Sequence, residues 1–420
     1  MTGTERAGLR VRRRDILAGT VALATPAIIR PARAADAVQL ISHRYPALEF
    51  YAEKLRSAVP GMTVNTRLMP SGDAMQLQRI AFSAGDTSLD LLWVNSTIIG
   101  NYAKNGWLEP LDDMFAKHGQ EFRLGDVSPA SLRGCSYDGR LYAMPVTINV
   151  LLYAYRDDLF QAAKLQPPTT WEEQVNVART LNSPRRSGVT LSLKWDNPPY
   201  ELQGILNTVG DGWFDKAWHP TFNSAKSVAA IEIYKRLAQY AVPGFTAQGN
   251  DENSVNFGQD IAATGQQWAT RCSAMDDPAK SKVIGKINWT APPGGRQAVN
   301  TDAYAISSKS VKDKDKLFRL LAAALAEPNQ RAGASLAVPT RRAVLTDPEI
   351  QAKYRWYPAI SKALDVGEPL PALPEFNEVA ELATKRMVQA IVGQMPVKEA
   401  LDTGADEVTE LLKRRGYYKT

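Results

Sequence analysis

The sequence predicts an α/β protein with two lobes, in which mainly parallel sheets are wrapped by helices. Strand-like and helix-like segments alternate from residue 37 onward, which is the order of parallel strand–helix–strand units. The chain has 420 residues, enough for two or three hydrophobic cores. Its composition, 44% hydrophobic and 22% charged with no repeat, is typical of a folded globular protein.

The segment from 38 to 105 predicts a β-α-β-α-β unit. Apolar runs predict strands at 38–41, 64–68 and 89–94, and helical periodicity predicts helices at 46–59, 74–84 and 96–105. In the first of these helices, Leu48, Tyr51 and Leu55 lie on one face, and a Pro-Gly pair ends it. Sequential strands joined by helices favour a parallel sheet with helices on both faces.

The later part of the chain repeats this pattern. Thr170 and Glu173 have the spacing of a capping box, which predicts the start of a helix that runs to 181. Further strands are predicted at 189–193, 283–289 and 303–307, and further helices at 224–240, 314–326, 375–392 and 397–414. A Pro-Pro-Gly-Gly run at 292–295 is the strongest linker signal. These units predict a second α/β lobe.

The distribution of charge argues against a nucleic-acid partner. The formal net charge is +6. Residues 1–34, however, contain seven arginines and two acidic residues, and the rest of the chain has 43 basic and 42 acidic residues. Because the basicity belongs to the N-terminal segment, we expect no nucleic-acid binding.

The N-terminal segment resembles an export signal. The RRDIL run at 13–17 resembles the twin-arginine motif. The apolar run at 16–29 would be about 21 Å long as a helix, shorter than the ~30 Å hydrocarbon core of a membrane. Ala32 and Ala34 offer the small side chains that a signal peptidase reads. We therefore expect a twin-arginine signal peptide over 1–34, cleaved near Ala34, and a periplasmic mature protein. A permanent membrane anchor is the alternative.

The residue types that most enzymes and metal sites need are sparse. The chain has three histidines, at 43, 118 and 219, and two cysteines. No nucleophile-elbow, phosphate-loop or zinc-ligand spacing occurs. We therefore expect no enzymatic activity, no cofactor and no metal ion. Cys135 and Cys272 fall in different predicted lobes, so we expect two free thiols and not a disulfide.

One segment carries a family resemblance. The run YDGRLYAMPVTINVLLYAYRDDLFQAAKLQPPTTWEE, at 137–173, resembles the signature of the family 1 extracellular solute-binding proteins of ABC importers. The matching positions are Tyr137, Gly139, Tyr142, Pro145, Tyr155, Asp158, Phe160, Pro168, Thr170, Trp171 and Glu172. Arg140 stands where the family commonly has Lys. Segments at 336–344 and 393–412 also resemble the family, so the similarity spans nearly all of the chain after the leader.

The resemblance implies the type II periplasmic binding protein fold of maltose-binding-protein-like carbohydrate-binding proteins. The lobes would comprise 36–145 with 292–336, and 146–291 with 337–420. It implies a monomer that binds a small ligand between its lobes, closes about a hinge of crossover segments and docks to the permease subunits of an ABC importer. Pro145 suits a point at which a strand leaves one sheet, because proline cannot donate to a strand ladder.

Loops at the carboxyl ends of strands bind ligands in doubly wound sheets. In the predicted fold these loops and the crossovers carry polar and aromatic candidates for the ligand site: His43, Arg44, Ser71, Gly72, Asp73, Asn95, Ser96, Asn149, Trp195, Gln267, Trp268, Asp302 and Arg341. Asp, Asn, Gln and Arg together supply the donors and acceptors that sugar hydroxyls need. A Trp ring can cover the apolar face of a pyranose. The sequence therefore predicts a carbohydrate or carbohydrate derivative as the ligand.

Alternatives remain open at this point. Asn149 is equally explained as a hydrogen-bonded Asn at a strand start, and each Trp as a core residue. His43 and Arg44 would suit an anionic group on the ligand, unless Arg44 pairs with Asp73 or Asp302. The same scaffold also binds polyols, glycerophosphodiesters, sulfonated sugars or polyamines. A ligand-sensing adaptor and an exported enzyme are the other classes of function.

Overall fold

The structure, a computed structural model, describes residues 37–194 and 197–418. The predicted signal peptide and Trp195 lie outside these ranges. From Val38 onward the chain forms one compact unit. None of the helices in the described part of the chain is long and apolar enough to span a bilayer.

The strands begin in the first predicted βαβ unit and continue through the centre of the chain. They are β1 (Val38–His43), β2 (Val64–Met69), β3 (Leu91–Asn95), β4 (Ser136–Tyr137), β5 (Arg140–Leu141), β6 (Ala143–Arg156), β7 (Ser187–Thr190), β8 (Ala262–Trp268), β9 (Ile287–Thr290), β10 (Ala298–Ile306) and β11 (Glu368–Pro369).

Helices follow most of the strands and end the chain. They are α1 (Pro46–Ser57), α2 (Ser71–Ser83), α3 (Ile99–Lys104), α4 (Asp112–Lys117), α5 (Pro129–Arg133), α6 (Asp157–Ala163), α7 (Trp171–Leu181), α8 (Pro198–Thr208), α9 (Ala225–Ala238), α10 (Asn250–Gly258), α11 (Lys314–Ala324), α12 (Glu327–Ala332), α13 (Arg342–Leu345), α14 (Pro348–Lys353), α15 (Tyr357–Val366), α16 (Phe376–Ile391) and α17 (Val397–Arg414). The capping box predicted for α7 is confirmed, because the Thr170 hydroxyl accepts from the Glu173 N–H and the Glu173 carboxylate accepts from the Thr170 N–H.

The strands form a mixed sheet in the order β2-β1-β3-β10-β6-β8-β7, with β11 beside β10 and β9 beside β6. The pairs β1–β2, β1–β3 and β7–β8 are parallel, as the βαβ order predicts. The central pairs β3–β10, β10–β6 and β6–β8 are antiparallel. Apart from the short parallel pair β10–β11, the parallel regions therefore lie at the two ends of the sheet, and the crossover strands β6 and β10 introduce the antiparallel pairs between them.

Strand β6 runs without a break through Pro145 and Asn149, where the sequence pattern suggests two separate runs. Its first half pairs with β10, and its second half pairs with β8 and β9. Among the described strands, only β10 pairs with the first half of β6. Proline is tolerated in a strand that is paired on one side, because its missing N–H can face the unpaired edge. The ladder to β10 shifts register between Asp302 and Ala303, opposite Pro145.

The buried apolar residues form separate cores at the two ends of β6. One core draws on residues 38–146 and 303–337, and two others draw on residues between 148 and 412. Val146 belongs to the first core and Ile148 to another, so the change occurs within β6. The lobe boundaries given above stay a prediction. Cys135 and Cys272 are buried in different cores, and both are free thiols.

Candidate ligand-binding cleft

A cavity of about 550 Å³ lies where the parallel strands of the first core end. One wall consists of residues at the carboxyl ends of β1, β2 and β3. The opposite wall comes from the segments around α8, α10 and the end of β8, and the floor comes from β6 and β10. The cavity thus occupies the position at which α/β sheets bind ligands.

His43, the last residue of β1, contributes an aromatic and polar edge to the first wall. Its ring lies 5.1 Å from that of Tyr45 and 5.3 Å from that of Trp93. Burial lowers the pKa of His43 to about 4, an effect that its contact with the Met69 carbonyl only partly offsets. At neutral pH the imidazole is therefore uncharged, and it offers one donor and one acceptor.

Asp302 of β10 is a buried carboxyl group at the floor of the cavity. Its Oδ2 accepts from the Tyr45 hydroxyl at 2.7 Å, and its Oδ1 accepts from Trp93 Nε1 at 2.9 Å. Burial raises the pKa of Asp302 to about 6, although these two donors act in the opposite direction. Each oxygen keeps a second lone pair for a ligand donor.

Two asparagines of the crossover strands complete the floor. Asn149 on β6 faces Asn300 on β10 in the strand register. Asn149 Nδ2 donates to the Thr270 hydroxyl at 3.0 Å, and Asn300 Oδ1 accepts from the Ser96 hydroxyl at 2.7 Å. These bonds hold the amides in fixed orientations and connect the floor to both walls.

The opposite wall carries charged pairs and an aromatic pair. Arg271 Nη1 lies 2.8 Å from Asp251 Oδ1, and Lys194 Nζ lies 3.3 Å from Glu252 Oε1. The Tyr200 and Trp268 rings meet edge to face at 5.4 Å. Trp268 is only 7% exposed, so little of its ring surface borders the cavity.

The structure brings most of the predicted site residues together around this cavity. The predicted residues that line it are His43, Ser71, Gly72, Asp73, Asn95, Asn149, Trp268 and Asp302. Ser96 does not line the cavity but orients Asn300, which does. Trp195 lies outside the described residues.

Three predicted residues lie away from the cavity, each for a local reason. Arg44 is exposed beyond the end of β1, and Asp302 accepts from Tyr45 and Trp93 instead. Gln267 alternates to the other face of β8, where its Oε1 accepts from Trp289 Nε1 at 2.9 Å. Arg341 is buried, and its Nη1 donates to the Arg123 carbonyl at 2.6 Å.

Sequence reasoning missed several residues that line the cavity: Tyr45, Trp93, Lys194, Asn197, Tyr200, Asn250, Asp251, Glu252, Thr270, Arg271 and Asn300. The Glu three residues after Gly249 was an available signal, because this spacing marks the start of α10. Trp93 gave no signal of its own because it sits inside the strand predicted at 89–94, and Asn300 gave none because the strand predicted at 303–307 begins after it.

The arrangement suits a small molecule rich in hydroxyl groups. Carboxylates, amides, a neutral imidazole and paired cations supply donors and acceptors on three sides. No group of three or more His, Cys, Asp or Glu side chains within residues 37–194 and 197–418 has the geometry of a metal site. Cores joined by crossover strands, with a polar cavity at the strand ends, are the features of a two-lobed ligand-binding protein.

Comparison with known proteins identifies the family of this two-lobed ligand-binding protein. The model of the bacterial extracellular solute-binding protein family matches residues 42–331, so the chain belongs to that family. A mannitol-binding protein of Pseudomonas aeruginosa is 27% identical over 367 residues, covering 79% of this chain and 82% of the relative. A galactooligosaccharide-binding protein of Bacillus subtilis is 22% identical over 78% of each chain.

Solved structures show the same fold. A solute-binding protein of an ABC transporter from Agrobacterium radiobacter K84, in complex with ribitol, has a TM-score of 0.81 and 25% identity over 89% of this chain and 98% of that one. Maltose-bound T. maritima MalE3 has a TM-score of 0.79 and 21% identity over 89% and 99%. The predicted fold class, the type II periplasmic binding protein fold, is confirmed, and so is the predicted family. The family consists of exported solute-binding proteins and not of enzymes.

Proposed function

We propose that this protein captures a neutral, polyhydroxylated ligand, a polyol or a small carbohydrate, and delivers it to the permease of an ABC importer. The ligand binds in the cleft defined above. Residues of both walls and of the floor contact it, and differential contact with the open and closed forms drives closure.

The observation that supports this proposal is the buried Asp302 carboxyl group at the cleft floor. A buried carboxyl group without a cationic partner costs folding free energy, which proteins accept mainly at functional sites. Tyr45 and Trp93 fix its two oxygens, each of which can still accept one hydroxyl proton. A vicinal diol offers two such protons at matching spacing.

The electrostatics of the cleft favour a neutral ligand over an anionic one. His43 is uncharged at neutral pH because burial lowers its pKa to about 4. The cations Arg271 and Lys194 already pair with acids, and Arg44 does not line the cavity. These features argue against the sulfonated and phosphodiester ligands left open by the sequence.

The relatives agree with this ligand class. One curated relative is a mannitol-binding protein, and a similar structure contains ribitol. Mannitol and ribitol are both linear polyols. The Trp268 ring is mostly buried, so it offers little surface on which a pyranose could stack. We therefore place polyols before ring sugars within the proposed class.

Export completes the proposed role. The family acts outside the cytoplasm. We infer that this chain leaves the cytoplasm by the twin-arginine route, on the basis of the RRDIL run at 13–17, and works as a monomer in the periplasm.

Calorimetric titration with mannitol, ribitol, glucose and maltose tests the proposal. We expect at least one to bind, with a thermal stabilisation of about 2.7 kcal/mol at 100 times Kd. Asp302→Asn should weaken that binding by at least about tenfold, since a hydrogen bond to a charged group contributes roughly 1.5–3 kcal/mol. It should not lower stability at neutral pH, because the amide removes a buried charge. Asp211→Asn, at an exposed residue outside the cleft, is the control. Binding that is unchanged in Asp302→Asn would refute the assigned site, and binding of none of these ligands would refute the ligand class.

A further inference from the structure

Two cations line the second wall of the cleft, and each pairs with an acid from the first turn of α10. Arg271 pairs with Asp251 at 2.8 Å, and Lys194 pairs with Glu252 at 3.3 Å. All four residues line the cavity. The two acids are adjacent in sequence, so one helical turn supplies both counter-charges.

The two acids differ in how firmly they are held. Glu252 Oε2 accepts from the Gly249 N–H at 2.9 Å while its other oxygen contacts Lys194. Although burial acts to raise the pKa of Glu252, the Gly249 N–H and the Lys194 charge lower it overall, so Glu252 is ionised at neutral pH. Asp251 has a side chain that is 81% exposed, but it contacts Arg271, whose side chain is only 21% exposed.

The Arg271–Asp251 pair also acts across the cleft. The pKa of His43 is lowered mainly by burial and is raised by its contact with the Met69 carbonyl. Of the charges that act on it, Arg271 lowers this pKa, Asp251 raises it and Arg44 lowers it. The Asp251 charge thus opposes the Arg271 charge at the first wall, where a ligand would experience the same opposition.

We propose that Asp251 and Glu252 are specificity-determining residues, which make the cleft reject anionic ligands by occupying Arg271 and Lys194. A ligand carboxylate or phosphate would meet cations whose charge a neighbouring carboxylate already offsets, and it would also face the acids Asp73 and Asp302. A neutral polyol meets no such penalty, because its hydroxyls bond to the paired groups without breaking the pairs. This inference rests on the proposed function and adds which residues make the cleft select neutral over anionic ligands.

The variants Asp251→Asn and Glu252→Gln, singly and together, test the inference. Each amide keeps the shape of the acid and removes its charge, and the amide introduced by Glu252→Gln retains an oxygen for the Gly249 N–H. Binding is measured by calorimetry with mannitol, mannitol 1-phosphate, gluconate and sulfate, at low and at moderate salt. Asp211→Asn, which removes the acid from an ion pair with Lys226 outside the cleft, is the matched control.

We expect the unmodified protein to bind mannitol in preference to mannitol 1-phosphate and gluconate. The double variant should bind at least one of the anions about tenfold or more tightly than the unmodified protein does, and added salt should reduce this gain. The control should show no gain. Unchanged anion affinity in the double variant would overturn the inference, and so would measurable and equal binding of mannitol and mannitol 1-phosphate by the unmodified protein.

These outcomes separate the two proposals. If the unmodified protein binds no neutral ligand but the double variant gains affinity for sulfate or gluconate, the proposed ligand class fails and the role of the two acids stands. If mannitol binds and the double variant gains nothing, the ligand class stands and the role of the two acids fails.

Discussion

The replacement Glu201→Gln should stabilise the protein at high pH and have little effect at low pH. Glu201 lies in α8, is 2% exposed, and accepts from the Tyr234 hydroxyl at 2.8 Å. Burial raises its pKa from 4.5 to about 7, and hydrogen bonds from Tyr234, Gln266 and the Ser192 N–H only partly oppose this. None of the described cations contributes to this balance.

The sign of the effect follows from linkage. Below pH 4.5 the Glu201 carboxyl group is protonated in both the folded and the unfolded chain, so its ionisation does not change the free energy of unfolding. Between pH 4.5 and about 7 the unfolded chain ionises first, and the folded state loses stability as pH rises. Above pH 7 the loss is complete and amounts to about 3 kcal/mol, at roughly 1.4 kcal/mol for each tenfold difference in the acid constant.

Guanidinium chloride unfolding of Glu201→Gln and of the unmodified protein, at pH 4.5 and at pH 8, measures this effect. The amide should add about 3 kcal/mol more to the free energy of unfolding at pH 8 than at pH 4.5. Glu232→Gln, at an exposed position of α9, should show no such difference. If Glu201→Gln has the same effect at both pH values, the raised pKa is refuted.

Two further predictions concern a buried charge network and export. Asp260 accepts from both Arg156, which is 4% exposed and also pairs with Asp158, and Arg186, so Asp260→Ala should lower the free energy of unfolding by roughly 1–3 kcal/mol. A loss below about 1 kcal/mol in chemical denaturation would contradict that estimate. Replacing Arg13 and Arg14 together with Lys should leave the chain in the cytoplasm, as measured by cell fractionation, and unimpaired export would exclude the twin-arginine route.

Local patterns predicted the first half of the fold well because its elements form from adjacent residues. The helix expected at 46–59 is α1 (Pro46–Ser57), and the strand expected at 64–68 is β2 (Val64–Met69). In each case the hydrophobic period and a flanking breaker agree, so the local signal is sufficient.

The strands in the second half of the chain were harder to predict, because they are buried without an alternation of polar and apolar residues. Strand β8 is buried along its whole length despite its polar sequence AATGQQW. Gln266 Nε2 donates to the Glu201 carbonyl at 2.7 Å, and Gln267 Oε1 accepts from Trp289, so a partner distant in sequence bonds to one polar atom of each amide. No local pattern encodes such partners, and β8 therefore resembled a loop.

The cleft was predictable where a residue lies at or shortly after the carboxyl end of a parallel strand, as His43, Asp73 and Asn95 do. It was not predictable where tertiary contacts decide the direction of a side chain. Arg341 follows the predicted crossover. Its guanidinium, however, donates to the Arg123 carbonyl and is buried in the protein interior. Arg271 lies beyond β8, and its place in the cleft depends on α10, where no helix was predicted.

Strand β6 has a consequence for how the protein can be divided. One uninterrupted stretch of backbone contributes to the core on either side of it, and the first core is completed by residues 303–337, which come long after β6 in the chain. A gene fragment that ends anywhere near the middle therefore lacks part of the first core as well as part of the others. The first core cannot be produced alone by simple truncation.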